Sequence, residues 1–379
     1  MTGIATVLTF GCAAFWVAAI ATRIGSVAAA FLQPALARRL ARREDRPPLS
    51  VLVPVKRHDP GLDEAFASLL RQRYPSFEVV VAAERDDLPA LRVAREVVAR
   101  FPGATCRFLV GNDGSAVSPK LNNLAPALAH AKNELILVKD ANVLLDEDQL
   151  SGFVRHLTPG VGLVCAVPVA ERPAGLAAEI ECAMINGHAA PLLLAASALG
   201  FGFGYGKIML FDRRNFVQAG GIDAISTSVG EDHALSKALA RLGLRTAFAA
   251  DVVRQVAGDK SFSDVWNRQL RWMVVRRQEE PAAFYAEVFF SGAFTTFVGA
   301  VGARAAGVPW WAAAGATVLI WMGAEGALLL GKGWEVRWRF PLAAICRELM
   351  IPALWLRTWT ARKVVWGDAL IDVRRHGAR

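Results

Sequence analysis

Cysteine is scarce and unpaired in this chain of 379 residues. Its five cysteines, Cys12, Cys106, Cys165, Cys182 and Cys346, are scattered without a C-x-x-C pair. That pattern excludes the common zinc spacings and offers no disulfide framework, as expected for a reduced cytoplasmic domain. Internal repeats and low-complexity tracts are missing. No helix-turn-helix, zinc-finger or RNA-binding signature accompanies the net charge of +9, so no nucleic-acid partner is expected. Long apolar runs with little charge gather towards the two ends and carry the excess behind an apolar fraction of 54%, against about 45–50% in soluble chains.

Ile4 to Thr22 holds no charged residue and is long enough to cross a hydrocarbon core of about 30 Å. The cluster Arg38-Arg39-Leu-Ala-Arg42-Arg43 follows, which places that side of the span in the cytoplasm. Met1-Thr-Gly lacks the basic start of a cleaved signal peptide, so the segment reads as an anchor. Val288–Ala303 and Ala305–Ala324 read as a helical hairpin turning near Gly307-Val-Pro309. Phe340–Leu356, interrupted by Arg347-Glu348 and Pro352, reads equally as a span or as a dip that returns. The basic residues gather beside these apolar segments, at 38–43, 268–277, 332–339, 357–363 and 374–379. Such placement suits anionic headgroups and membrane topology.

Between the ends, short β-branched runs alternate with amphipathic ones. Leu49–Val55, Phe77–Ala83, Thr105–Val110, Glu134–Lys139 and Val161–Pro168 read as strands. Leu62–Gln72, Leu88–Arg100, Lys120–Ala131 and Glu147–Leu157 read as the helices between them. The expected fold class is α/β, with a mostly parallel Rossmann-like sheet and transmembrane helices at both ends. Ligands of such sheets bind beyond the carboxyl ends of the strands, which is where Asp140 falls. Cys182–Phe211 carries only His188 and Lys207 as possible charges and contains Gly200-Phe-Gly-Phe-Gly-Tyr-Gly206. Glycines on alternate positions let the backbone pass close to another group. The stretch reads as an apolar helix along the membrane surface followed by a flexible acceptor-facing loop, with a transmembrane helix as the competing reading. Phe262, Val265, Trp266, Leu270 and Met273, interleaved with arginines, read as an amphipathic helix at headgroup level.

Several side chains stand where chemistry needs them. Asp140 with Asn142 has a D-x-D-like form whose oxygens suit a hard divalent ion, magnesium or manganese; capping of the next turn is the simpler reading. Glu231-Asp232 opens a helix, where the pair could cap the terminus or supply a base. Arg268 and Arg271 share a helical face and could grip a diphosphate, with Trp272 stacking nearby. Lys120 opens a helix and suits a phosphate, or is an exposed first-turn lysine. Asp86-Asp87 reads equally as a uracil or ribose contact and as a solvated turn. His188 is more often a satisfied core or interface histidine.

Together these residues resemble the ceramide glucosyltransferase family, a branch of the GT-A glycosyltransferases. Ser118-Pro-Lys-Leu-Asn-Asn-Leu124 resembles its N-P-K-x-N-N-L, Asp140-Ala-Asn142 its D-S-x, Glu231-Asp232-His-Ala-Leu-Ser-Lys237 its E-D-x-x-x-x-K, and Arg268-x-x-Arg271-Trp272 its (Q/R)-x-x-R-W. Gln218–Gly221 and Val161–Val164 resemble further segments, so the likeness runs from about Val51 to Trp272. The resemblance implies that Asp86 or Asp87 contacts the nucleotide and that Asp140 and Asn142 hold a metal–diphosphate. Asp232, beside Glu231, would be the catalytic base. Arg268, Arg271 and Trp272 would hold the diphosphate and acceptor side, and His188 would lie near the lipid acceptor. Pro54, Lys56 and Lys120 join the nucleotide-sugar contacts. It also implies inverting transfer of glucose from UDP-glucose to the primary hydroxyl of ceramide. Asn142 departs from the second carboxylate of a full D-x-D, and Ser118 from the family's asparagine.

The expected organisation is an anchor and basic linker over 1–46, a cytoplasmic GT-A domain over 47–257, an interface helix over 258–282, and membrane-associated helices with a basic tail over 283–379. The setting is a bacterial-type inner membrane with the catalytic domain facing the cytoplasm. UDP-sugar and a membrane lipid are the expected partners, and nothing in the sequence assigns an oligomeric state. Other acceptors (a hopanoid or diacylglycerol), a processive polysaccharide synthase and a catalytically silent lipid-binding scaffold are the competing readings.

Overall fold

Runs such as Leu-Ser-Val-Leu-Val-Pro-Val favour a pleated strand covered on both faces, and the chain builds its central sheet from them. The structure is a computed structural model that describes residues 2–112, 114–366 and 369–372; the basic run Arg374–Arg379 lies outside the described residues. The chain opens on one long helix, α1 (Thr2–Leu40). Strands and helices then alternate as β1 (Leu49–Val55), α2 (Leu62–Leu70), β2 (Phe77–Ala83), α3 (Pro89–Val98), β3 (Cys106–Val110), α4 (Pro119–His130) and β4 (Leu135–Lys139). Next come β5 (Val143–Leu144), α5 (Gln149–His156), β6 (Val161–Cys165), β7 (Pro168–Ala174), α6 (Leu176–Cys182), a π-helical segment (Ala183–Ala189) and α7 (Ala190–Ala198). The α/β domain closes with β8 (Ile208–Asp212), α8 (Arg213–Gln218), α9 (Glu231–Ala240), β9 (Arg245–Phe248) and β10 (Val253–Asp259). The remainder is α10 (Phe262–Glu279), α11 (Pro281–Phe289), α12 (Gly292–Ala305), α13 (Trp310–Gly331), α14 (Phe340–Thr360) and the hairpin β11 (Lys363–Trp366) and β12 (Ala369–Asp372).

The central sheet has the order β3-β2-β1-β4-β8-β6-β9. It is parallel except for β8, which runs antiparallel to both β4 and β6. The expected strand Val161–Pro168 divides at Ala166: β6 pairs with β9 in this sheet, while β7 crosses to a second sheet beside β10. Alternation along the strands sorts their side chains. Val51 and Val53 face α2, α3 and α5, whereas Leu52, Val80, Ile136 and Val138 face α4, α7 and part of α1. Each Val, Leu or Ile so buried contributes about 1.5–3 kcal/mol. β2 and β4 flank β1 on opposite sides, so the carboxyl ends of β1 and β4 stand at the switch point where ligands of such sheets bind.

Among the described residues two helices are long and apolar enough to cross a membrane, Thr6–Leu40 and Trp310–Gly331; there is a third candidate if α11 and α12, bent by 53°, are counted as one span. The expected span ends at Thr22, but the helix continues to Leu40. Its second half docks on the α/β domain: Gln33 Nε2 donates to Ala249 O at 3.1 Å and to Ser197 Oγ at 3.1 Å, and Arg38 pairs with Asp251 at 2.7 Å. The hairpin turns at Gly307 as expected, with φ of 78° there. Phe340–Thr360 is one continuous helix that contains Pro352, and Arg347 within it is buried against Glu325 and Glu348.

Two expectations for the middle of the chain need correction. The apolar helix of Cys182–Phe211 does not lie by itself on a surface. It is packed against α1 and the sheet, with Ala190, Leu193 and Leu194 buried. The glycine run after it is wedged rather than flexible. A Cβ on Gly202 would fall 2.0 Å from Thr246 O, and one on Gly204 would fall 1.8 Å from Asp232 O. In helix α10, Val265, Leu270, Met273 and Val274 are buried, the latter three against α11 and α14.

Candidate active site

Asp140 follows the last residue of β4 and is tied down by its backbone, whose N–H donates to Lys207 O at 3.1 Å. Two ammonium groups reach its carboxylate, Lys120 Nζ at 2.7 Å from Oδ1 and Lys207 Nζ at 3.1 Å from Oδ2. Burial alone would raise the pKa of Asp140, but the two lysines outweigh it and hold the carboxyl at about 2. Lys120 is placed by α4, whose N-cap Ser118 accepts from Leu121 N. It also donates to Gly206 O at 2.7 Å and lies 3.4 Å from Glu231 Oε1. Burial opposes the charge on Lys120, yet Asp140 and Glu231 together push its pKa above the ordinary value.

The carboxylate pair enters from α9. Gly230, not an acid, is the N-cap, so neither carboxylate serves as the helix cap. Glu231 accepts from Ser118 Oγ at 3.0 Å and pairs with Lys120, which occupies both of its oxygens. Asp232 accepts from His233 N at 2.8 Å through Oδ1. A Cβ on Gly206 would come within 3.0 Å of Asp232 Oδ2 and 3.3 Å of Lys120 Nζ, so both groups face the same glycine. Burial first, and the neighbouring Glu231 second, raise Asp232 to about 7. The pair therefore divides: Glu231 is locked in hydrogen bonds, and Asp232 is poised to exchange a proton near neutrality.

Residues far apart in the chain thus meet beyond the carboxyl end of the central strand β4. The model of Glycosyl transferase family 21 matches residues 13–379. The chain belongs to this family. Among curated relatives, ceramide glucosyltransferase 1 of Caenorhabditis elegans is 21% identical over 327 residues, covering 84% of this chain and 70% of that protein. Ceramide glucosyltransferase 3 of the same organism is 23% identical, covering 61% of this chain and 50% of that protein. A solved mannosyltransferase from Pyrobaculum calidifontis, in complex with GDP-Man and Mn2+, shares the fold at a TM-score of 0.53 and 20% identity, covering 92% of this chain and 99% of that one.

The other expected site residues of this family 21 chain divide into those near the cluster and those outside it. Arg271 is half-buried on α10; burial, then the adjacent Arg268, lower its pKa to about 10, opposed by Glu231 and Asp140. Its Nη1 donates to Val365 O at 3.3 Å. Arg268 turns instead to Glu181 on α6, 3.1 Å away, which also pairs with Lys260 at 3.3 Å. Trp272, partly buried, packs against Ala170, Ala178, Cys182, Ile185 and Ala257. Asp86 pairs with Arg95, and Asp87 lies 3.4 Å from Arg85; both stay exposed on the rim beyond β2. Pro54, near the end of β1, sits beside Ala82, and Lys56 is 3.3 Å from Glu84. His188 belongs to another group, with Nε2 3.5 Å from Glu287 Oε1, and Arg276 grips the same Glu287 at 2.6 and 2.8 Å.

Two residues join the set that the sequence reading passed over, Lys207 and Glu181. Lys207 is the lone cation at the end of the glycine run, directly before a buried strand, and that isolation was a readable signal. Glu181 is the second of two acids, after Glu179, at the entry to an apolar stretch, a weaker one. Among the described residues no group of three or more His, Cys, Asp or Glu is arranged to hold a metal. The local donors are Asp140, Asn142 and Asp59, with Asn142 Nδ2 donating to Asp59 Oδ2 at 3.1 Å. These all-oxygen donors fit a hard ion held jointly with substrate phosphates, which needs only one or two protein carboxylates.

Proposed function

We propose that the protein is an inverting glycosyltransferase that moves one hexose, glucose, from a UDP-sugar to the hydroxyl of a membrane lipid, with ceramide as the acceptor. The observation that carries this reading is Asp232, a buried carboxylate raised to about 7 beside the Lys120–Asp140 pair at the carboxyl edge of the sheet. Asp232 takes the proton of the acceptor hydroxyl as its oxygen attacks the anomeric carbon. Lys120, Lys207 and Arg271 face the departing diphosphate. A divalent ion at Asp140 and Asn142 would add neutralisation of that diphosphate. His188 and Glu287 line the acceptor side. Helices α1 and α13 hold the site at a membrane, the α/β domain facing the cytoplasm.

Incubating the purified full chain with a panel of UDP-sugars and membrane lipids, then weighing the products, tests the proposal. One added hexose on a lipid supports it. Transfer to no lipid, or a long polymer, overturns it.

The titration of Asp232 sets the pH dependence. Only the ionised carboxylate accepts a proton, and its pKa is raised. Donor-saturated kcat/KM for the lipid should therefore rise with unit slope up to about pH 7 and level off above it. A flat profile across that rise would remove Asp232 as the base. Lys207→Met should raise the KM for the UDP-sugar about tenfold, the scale of a lost charged hydrogen bond. The KM for lipid should stay constant, because Lys207 touches Asp140 and Asn142 rather than the acceptor side.

A further inference from the structure

A second buried charge system lies among the membrane-side helices, away from the Asp140 cluster. Arg23 on α1 reaches Glu325 on α13 at 3.2 Å, Arg347 on α14 reaches the same carboxylate at 2.6 Å, and Arg347 also holds Glu348 at 2.7 Å. The side chains of Arg23, Glu325 and Arg347 are 5%, 0% and 1% exposed. Glu348 in turn accepts from Ala293 N at the start of α12 at 3.1 Å. The four charges balance. Such a network seldom exceeds well-packed apolar residues in stability, and charged side chains on membrane-crossing helices generally mark function.

What the arginines grip explains their presence. Arg347 Nη1 donates to Ala183 O at 3.1 Å and Arg23 Nη1 donates to Gly187 O at 3.0 Å. These carbonyls belong to the first and fifth residues of the π-helical segment, a widened turn that is costly by itself and recurs at functional sites. Glu325 presses so close that a Cβ on Gly187 would lie 1.8 Å from its Oε1. From the opposite side, Asn186 exchanges two hydrogen bonds with the backbone of Ala170 on β7, both 2.7 Å. Directly after Gly187 comes His188, facing Glu287.

We propose that Arg23, Glu325 and Arg347 are positioning residues that hold the π-helical turn so that His188 meets the lipid acceptor. This rests on the acceptor-side reading of His188 given above. The network also joins α1, α13 and α14 to that turn, so the membrane helices and the acceptor side are placed by the same contacts.

The test uses the full chain in lipid nanodiscs. The double variant Arg23→Met with Glu325→Gln removes the grip on Gly187 yet keeps charge balance, because Arg347 and Glu348 still pair. It should raise the lipid KM about tenfold, the scale of a lost charged hydrogen bond, with the UDP-sugar KM unchanged. In a His188→Ala background it should add nothing further, since both changes act through one residue. Equal changes in both KM values, or an effect additive with His188→Ala, would overturn the proposal. Should the double variant fail to fold, Arg23→Lys keeps the charge and should show a smaller rise in lipid KM with the same non-additivity. Wild-type protein that glycosylates no lipid overturns the reading of the site, and this one with it. Active wild-type protein with additive variants overturns the positioning role alone.

Discussion

Asp232→Asn should slow transfer by about 10²–10⁴-fold, the usual contribution of a positioned general base, while leaving UDP binding close to wild type. The amide keeps the volume of the carboxylate and its acceptor oxygen for His233 N, but it cannot take a proton. The rise in rate towards pH 7 should vanish from the residual activity. Glu231→Gln provides the contrast. Glu231 is bound to Ser118 and Lys120, so its loss should weaken the site yet keep a pH-dependent limb, shifted to lower pH because the neighbouring negative charge that helps raise Asp232 is gone. Steady-state rates across pH, with UDP binding by calorimetry, separate the two. Normal turnover by the Asp232→Asn protein would exclude this carboxylate as the base.

Gly204→Ala should be nearly as damaging although residue 204 bears no functional group. Its Cβ would lie 1.8 Å from Asp232 O and 2.2 Å from Asp232 C. These are backbone atoms, so no rotamer change relieves the collision, and the start of α9 has to move. A displacement near 1 Å costs about a hundredfold in rate, and overpacking costs about 1–3 kcal/mol of stability. Gly200→Ala is the control. Gly200 has φ of +83° with nothing within 4 Å of a Cβ, so that change strains the backbone without touching Asp232. It should lower the melting temperature modestly and leave kcat in place. Wild-type kcat in Gly204→Ala would show that the glycine run does not set Asp232.

The same loop explains where reading from residues reached its limit. Alternate glycines signalled a close approach of backbone, but nothing in the run named the partner, which is α9 on one side and β9 on the other. Likewise the motif Arg268-x-x-Arg271-Trp272 was visible, whereas the division of labour within it was not. Arg268 meets Glu181 on α6, far earlier in the chain, and Trp272 finds an apolar cluster that includes Ala178 and Cys182 of the same helix. Helical spacing predicts which side chains share a face; it does not say what lies opposite.

What the sequence determined by itself was local. The limits of Leu49–Val55 and Phe77–Ala83, the alternation of strands with helices and the place of Asp140 at a strand end follow from periodicity and β-branched content, which act between near neighbours. Tertiary structure decided the rest: β8 running against its neighbours, Lys207 reaching Asp140, and Arg23 joining Glu325 across 302 positions. Those contacts depend on which surfaces the folded layers bring together, and burial then makes each pairing strong by removing the water that would compete for it.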